Sequence, residues 1–331
     1  MFCYLQKKER GGSSLENTLA EGLYSKPEPM TSIRGPPLIE KPLRIGGIKT
    51  CQCPPNHLNC MTPKEWIKSQ IGVWKFYYEK RDIRDKTVHP AVFSISMAKQ
   101  IISLFTHKGE LLVDPFAGAG TALLAARELG RNAVGFDINQ KYIDIAKQRL
   151  TQQVMNDGQQ LMINDDARNI SEYFEKESIS LLFTSPPYSN LLNRPRLNKS
   201  RRGDERLNGQ HLKVEQYSQN HNDLGTLPPE EYKKAMRDIY ASLLPMLQTR
   251  GHNVINVPDF WVSDKNGGRR VPLHIQICEA MEEAGYELRN TIIWDRTDIV
   301  NRVGIFGWPS NYITMGTTFE YLLDFWKPSN R

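Results

Sequence analysis

Short apolar runs that each end on a glycine turn or an acid dominate the first half of the chain. Leu111-Leu112-Val113 leads into Asp114-Pro115-Phe116-Ala117-Gly118-Ala119-Gly120-Thr121, small and apolar residues continue from Ala122 to Ala126, and Val134-Gly135-Phe136 ends on Asp137. Uninterrupted apolar runs of this length are the mark of strands buried on both faces, and the stretch between them reads as a helix, so the segment predicts a βαβ unit. A helix is predicted before it, over Ser96 to Thr106. Farther along, Ile179 to Phe183 is strand-like. Glu230 to Leu247 places Tyr232, Met236, Ile239, Tyr240, Leu243 and Leu244 on a 3.6-residue period, Asn253 to Val257 is strand-like, and Pro272 to Ala284 is helical with Gly285 as its C-cap. Leu288 to Trp294 and Tyr321 to Trp326 read as strands. Strands alternating with helices predict an α/β fold, a mainly parallel twisted sheet with helices on both faces.

The glycine turn narrows the chemistry. Gly118 and Gly120 let backbone approach a ligand, and Asp137, about twenty residues on, stands where ribose hydroxyls are gripped in such folds. A phosphate-binding loop would need lysine after its last glycine, where Thr121 stands. A nicotinamide site expects a small residue where the chain has Leu123, which weakens that reading. Asp114 before the turn repels a pyrophosphate and suits a cationic ligand such as S-adenosylmethionine.

A second motif, Thr184-Ser185-Pro186-Pro187-Tyr188, ends the Ile179 to Phe183 strand in a stiff turn. Two prolines remove backbone donors and leave carbonyl acceptors, Ser185 adds a hydroxyl and Tyr188 a flat ring, a set suited to holding an exocyclic amine.

Together these motifs resemble those of the DNA amino-methyltransferases, with D-P-F-x-G-x-G-T at Asp114 to Thr121 and the family's [DNS]-P-P-[YFW] at Ser185 to Tyr188. His89-Pro90-Ala91 with Phe93 resembles the motif that covers the methionine end of the cofactor, and Phe319 to Lys327 a strand of the catalytic half. The resemblance implies a Rossmann-like, S-adenosylmethionine-dependent methyltransferase fold with a DNA-recognition insertion. By the same resemblance the cofactor would be held by His89, Pro90, Phe93, Asp114, Phe116, Gly118, Gly120, Thr121, Asp137 and Asp166, with Asp165 an equally placed neighbour of Asp166. Ser185, Pro186, Pro187 and Tyr188 would carry catalysis by direct attack of the amine on the methyl group. Here the cofactor half precedes the catalytic half, a circular permutation that keeps the same spatial neighbours when termini lie close. Serine at position 185 points, through the resemblance, to N4 of cytosine, with N6 of adenine as the alternative. Methylation of an RNA guanine or a glutamine side chain is a weaker reading, because those relatives mostly carry Asn in place of Ser185. A catalytically silent DNA-binding protein is weaker again, and radiolabelled methyl transfer to DNA separates it.

Composition adds location rather than identity. Lys and Arg (43) modestly exceed Asp and Glu (37), so only their distribution informs. Residues 190–226 hold Arg194, Arg196, Lys199, Arg201, Arg202, Arg206 and Lys213 against Asp204, Glu205, Glu215 and Asp223, without apolar periodicity. This segment follows the catalytic turn and is expected to contact double-stranded DNA. Residues 301–315, with Phe306, Trp308 and Tyr312, would either touch flanking bases or close over the sheet edge. The expected organisation is a flexible arm over 1–45 and a methyltransferase domain over 46–331, with cofactor half 86–175 and catalytic half 176–331. Neither a signal sequence nor a membrane span is expected, which predicts a cytoplasmic protein. A cognate restriction endonuclease is a possible partner, and the oligomeric state is left open. Five cysteines argue against a disulfide framework. Cys51, Cys53 and Cys60, with His57 among them, have zinc-ligand chemistry but an unfamiliar spacing, so they are expected to be structural cysteines in a loop, with no metal. Trp66, Ile67, Val73, Trp74 and Phe76 are expected to pack a helix on the main domain.

Overall fold

Alternation along buried strands decides the architecture. In a computed structural model, described for residues 39–45, 47–79, 93–151, 158–189, 222–262, 269–298 and 317–329, the chain divides into two units, Met1–Ile39 and Glu40–Arg331. The second unit opens with α1 (Pro63–Ser69), β1 (Val73–Lys75) and α2 (Ile95–Phe105). Then come β2 (Leu111–Asp114), α3 (Thr121–Glu128), β3 (Asn132–Asp137), α4 (Gln140–Thr151), β4 (Gln160–Asn164) and β5 (Ile179–Thr184). After Asn222 the chain forms α5 (Pro229–Leu243), β6 (Leu247–Val257), β7 (Phe260–Val262), β8 (Arg269–Val271), α6 (Leu273–Glu283), β9 (Glu287–Asp295) and β10 (Phe319–Trp326).

Eight of these strands form one sheet in the order β1-β9-β10-β6-β5-β2-β3-β4, and β7 pairs with β8. All neighbours in the large sheet are parallel except β10, which runs antiparallel to both β6 and β9. Side chains alternate between the two faces of a strand. Leu111, Val113, Val134, Phe136 and Leu182 therefore join one core with Tyr232, Met236 and Tyr240 of α5 and Leu273 and Ile277 of α6. Leu112, Ala133, Leu181 and Phe183 join the opposite core with Ile101 of α2, Leu123 of α3 and Ile143 of α4. This is the expected Rossmann-like, mainly parallel sheet with helices on both faces.

Some boundaries differ from the sequence pattern. Periodicity carried the Glu230 helix to Leu247, but α5 stops at Leu243 and Leu247 opens β6. Pro245 lacks the N–H a continuing helix needs, and the carbonyls of Pro245 and Met246 instead accept from Glu177 and Ile179. The packing expected of Ile67 and Val73 is not found, since they are 61% and 53% exposed and α1 buries no residue. Trp74 is the buried residue there, because β1 is a short edge strand that turns alternate side chains outward. Lys41 and Leu43 lie on the domain, where Leu43 N–H donates to the Tyr173 carbonyl at 2.8 Å and Lys41 pairs with Glu172 at 2.9 Å. No helix among the described residues is long and apolar enough to cross a membrane.

Candidate active site

Four parallel strands, β2 to β5, deliver their C-terminal ends to one crevice of about 630 Å³, open mouth included. Its walls carry Phe116 and Gly118 from the turn after β2, Asp137 and Ile138 from the end of β3, Asp165 and Asp166 after β4, and Ser185, Pro186 and Pro187 after β5. Asn222, Asp223 and Leu224 close it from the segment preceding α5. The two motifs, 70 residues apart between Asp114 and Thr184, thus share one site. Strand ends of an open parallel sheet are where such folds bind ligands, since helix N-termini and loops converge there.

Half-buried Asp137 organises the glycine turn. Its Oδ2 accepts from Gly118 N–H at 3.0 Å and its Oδ1 from Asn139 N–H at 2.8 Å. Gly118 has φ +49°, in the left-handed region that glycine tolerates. Burial pushes the Asp137 carboxyl up to about 6 against the pull of those N–H donors, and the nearby Asp223 charge pushes the same way. Asp223 caps the short helix Leu224–Thr226 through Gly225 N–H at 2.7 Å. In the sequence Asp223 reads only as an acid within a basic segment. Its Asn-Asp-Leu-Gly context is a turn signal, but nothing local points it into the crevice.

Asp165 and Asp166 both reach the wall and differ in what they hold. Asp165 accepts from Tyr173 Oη at 2.6 Å and Asn169 Nδ2 at 2.8 Å. Burial raises its carboxyl, but these bonds outweigh burial and hold it below the ordinary range. Asp166 caps the helix Ala167–Tyr173 through Arg168 N–H and pairs with the Arg168 guanidinium at 2.7 Å, which also donates to the Asn222 carbonyl. Asp166 thus caps a helix and lines the wall at once.

Several residues expected to touch the cofactor are turned elsewhere. Asp114 does not line the crevice: it is buried, and its Oδ1 accepts from Thr184 Oγ1 at 2.6 Å and Phe116 N–H at 3.1 Å, pinning the two motifs together. Burial pushes its carboxyl up to about 7, against those two hydrogen bonds. Gly120, at φ +75°, starts α3 and lies so close to α4 that an added Cβ would meet Ala146 Cβ at 2.9 Å. Thr121 is buried beside Arg149, and Phe93 is buried against Phe183, their ring centroids 5.1 Å apart. Tyr188 is half-buried against the core, and its hydroxyl lies 2.7 Å from Ser185 Oγ. His89, Pro90, Arg194, Arg196, Lys199, Arg201, Arg202, Arg206 and the 301–315 stretch lie outside the described residues.

Four carboxyl groups line this crevice, and among the described residues no lysine or arginine does. That charge set disfavours a pyrophosphate and suits a cationic ligand. The N6/N4 DNA methylase family matches residues 47–148, the segment that builds the glycine turn and Asp137. Over that segment the chain is similar to the DNA amino-methyltransferases. Among its relatives are the type II methyltransferases M.ScaI of Streptomyces caespitosus, 37% identical over 87 residues, and M.HindIII of Haemophilus influenzae, 42% identical over 66. These matches cover 25% and 20% of this chain and 29% and 21% of the relatives, so the chain spans less than a third of each relative it matches. Among solved structures, the DNA modification methylase TTHA0409 of Thermus thermophilus, complexed with S-adenosyl-L-methionine, is 22% identical. It covers 50% of this chain and 52% of its own, at a TM-score of 0.32. TrmN of Thermus thermophilus is 13% identical over 74% of this chain and 53% of its own, at 0.44.

A metal was not expected at the cysteine-rich loop, yet the fold gathers Cys51, Cys53 and Cys60 around His107, a residue the sequence did not connect with them. His57, the histidine nearer in sequence, is not part of this group.

Proposed function

We propose that this protein transfers a methyl group from S-adenosylmethionine to the exocyclic N4 of cytosine in DNA, as part of restriction-modification or epigenetic marking. The observation that carries the reading is the shared crevice, in which Ser185-Pro186-Pro187 faces Gly118 and Asp137. The residues present fit the cofactor: Asp137 for the ribose hydroxyls, Asp166 for the adenine amino edge, Phe116 and Ile138 as apolar walls, and a net acidic lining for its positive groups. Bound S-adenosylmethionine supplies a methyl group on a cationic sulfur, which makes the carbon electrophilic. Ser185 and the Pro186 carbonyl would accept the two amine N–H groups and so localise a lone pair that the ring otherwise delocalises. If the Ser185 hydroxyl donates to Tyr188, its own lone pairs remain to accept from the amine. The target amine is inaccessible in a stacked duplex, so the base would be flipped into the site. Mass spectrometry of digested product tests the base: N4-methylcytosine supports the reading, and N6-methyladenine alone would overturn it while sparing the mechanism.

Two further outcomes are expected. Asp137→Ala should weaken S-adenosylmethionine binding about 10- to 100-fold in a folded protein, because it removes both a ribose acceptor and the clamp on Gly118. Calorimetry reads this, and wild-type affinity in that variant would remove Asp137 from the site. Charge reversal at Arg201 and Arg202 should weaken DNA binding and flatten its salt dependence, since each lost phosphate contact releases fewer counterions. A salt slope equal to that of the wild type would detach this segment from the DNA.

A further inference from the structure

We propose that Cys51, Cys53, Cys60 and His107 bind a structural zinc ion. The four donor atoms form a near-regular tetrahedron. Cys53 Sγ lies 3.3 Å from Cys51 Sγ and 3.7 Å from Cys60 Sγ, and Cys60 Sγ lies 3.4 Å from Cys51 Sγ. His107 Nδ1 caps this triangle at 3.4, 3.6 and 3.8 Å from the sulfurs of Cys51, Cys53 and Cys60. With zinc–sulfur bonds of about 2.3 Å and a zinc–nitrogen bond of about 2.05 Å, a tetrahedral centre has sulfur–sulfur edges of about 3.8 Å and sulfur–nitrogen edges of about 3.6 Å. All six observed edges fall near those lengths. A disulfide does not explain the arrangement, because its sulfurs stand about 2.05 Å apart and an odd trio leaves one thiol over.

The surroundings also suit thiolate ligands. Lys108 N–H points at Cys60 Sγ at 3.4 Å, the kind of backbone donor that stabilises a metal-bound sulfur, and Thr50 N–H binds the Lys108 carbonyl at 2.8 Å. Gly109 makes this corner possible: at φ +82° it is left-handed, and an added Cβ would meet the Ile48 carbonyl and the Thr50 side chain at 2.5 Å. Three thiolates and one imidazole fill a zinc coordination shell, so no open position remains for catalysis. None of the four ligands lines the acidic crevice, and the proposal is independent of the methyl-transfer reading. The ion would instead tie the loop of Cys51, Cys53 and Cys60 to the turn between α2 and β2, just ahead of the strand that ends on Asp114.

The test is metal analysis of the full chain, purified under reducing conditions without chelator. One zinc per chain is expected. His107→Ala and Cys53→Ser should lower bound zinc about tenfold, while His57→Ala and Cys278→Ser retain it. Because ligand variants can fail to fold, the wild type supplies a second readout: a mercurial reagent titrated into the holoprotein, which has five thiols, should release one zinc per chain by the time all five are modified, and cobalt(II) in its place should give thiolate-to-metal absorption bands. Folded wild-type protein that retains no zinc after reconstitution would overturn the proposal. So would iron in its place, or a loss of zinc in His57→Ala equal to that in His107→Ala.

Discussion

Replacing Ser185 with alanine should lower methyl transfer to DNA about 10²- to 10³-fold while leaving S-adenosylmethionine affinity within a factor of about two, the scale seen when one preorganised hydrogen-bonding group is removed from a reacting centre. Ser185 lies on the crevice wall, whereas the clamp on the glycine turn belongs to Asp137, so under the proposed function the two effects are expected to separate at this residue. Tyr188→Phe sharpens the test. It keeps the ring packed against the core and removes the hydroxyl 2.7 Å from Ser185 Oγ, so it should cost less than Ser185→Ala. Single-turnover methylation with saturating cofactor reads the chemical step apart from product release. A Ser185→Ala protein with wild-type single-turnover rate would remove the hydroxyl from amine activation, and full activity in a Ser185→Ala, Tyr188→Ala double variant would sink the mechanism.

The ligand-free protein should lose stability as pH rises from about 4 to about 7. Asp114 is raised to about 7 and Asp137 to about 6, both chiefly by burial, so the fold prefers their protonated forms. A carboxyl raised in this way contributes stability that is fully present below its unfolded value near 4 and is lost as pH passes through its folded value. Between those limits the native state binds more protons than the unfolded chain, and the loss is on the order of a few kcal/mol. Asp114→Asn keeps an oxygen able to accept from Thr184 and Phe116 but cannot ionise, so its stability should fall less across the same window. Denaturant titrations at pH 5 and pH 8 measure this. Equal pH dependence in wild type and Asp114→Asn would show that Asp114 does not titrate there. Thr184→Val, by contrast, should destabilise at every pH by about 1–3 kcal/mol, because it leaves a buried acceptor without its donor.

Leu111 to Asp114, Val134 to Asp137 and Ile179 to Thr184 could be read as strands because burial on both faces writes itself as an unbroken apolar run. The glycine turn and Ser185-Pro186-Pro187 were legible for a similar reason: φ angles and missing donors are properties of single residues. Orientation was not. Whether Asp114 faces a ligand or Thr184, and whether Tyr188 stands in the crevice or against the core, depends on neighbours brought by β5, so only packing decided it. Asp223 reached the crevice because the chain returns there after the 190–221 stretch, a distance over which no periodicity speaks. The same holds for the metal ligands. Cys51, Cys53 and Cys60 have the chemistry of zinc ligands but read in the sequence as structural cysteines without a metal, because the fourth donor comes from His107, 47 residues beyond Cys60 just after α2. Sequence patterns report which residues share a face of one element. A tetrahedron assembled from a loop and the corner of a distant helix exists only once the sheet has set where that corner lies.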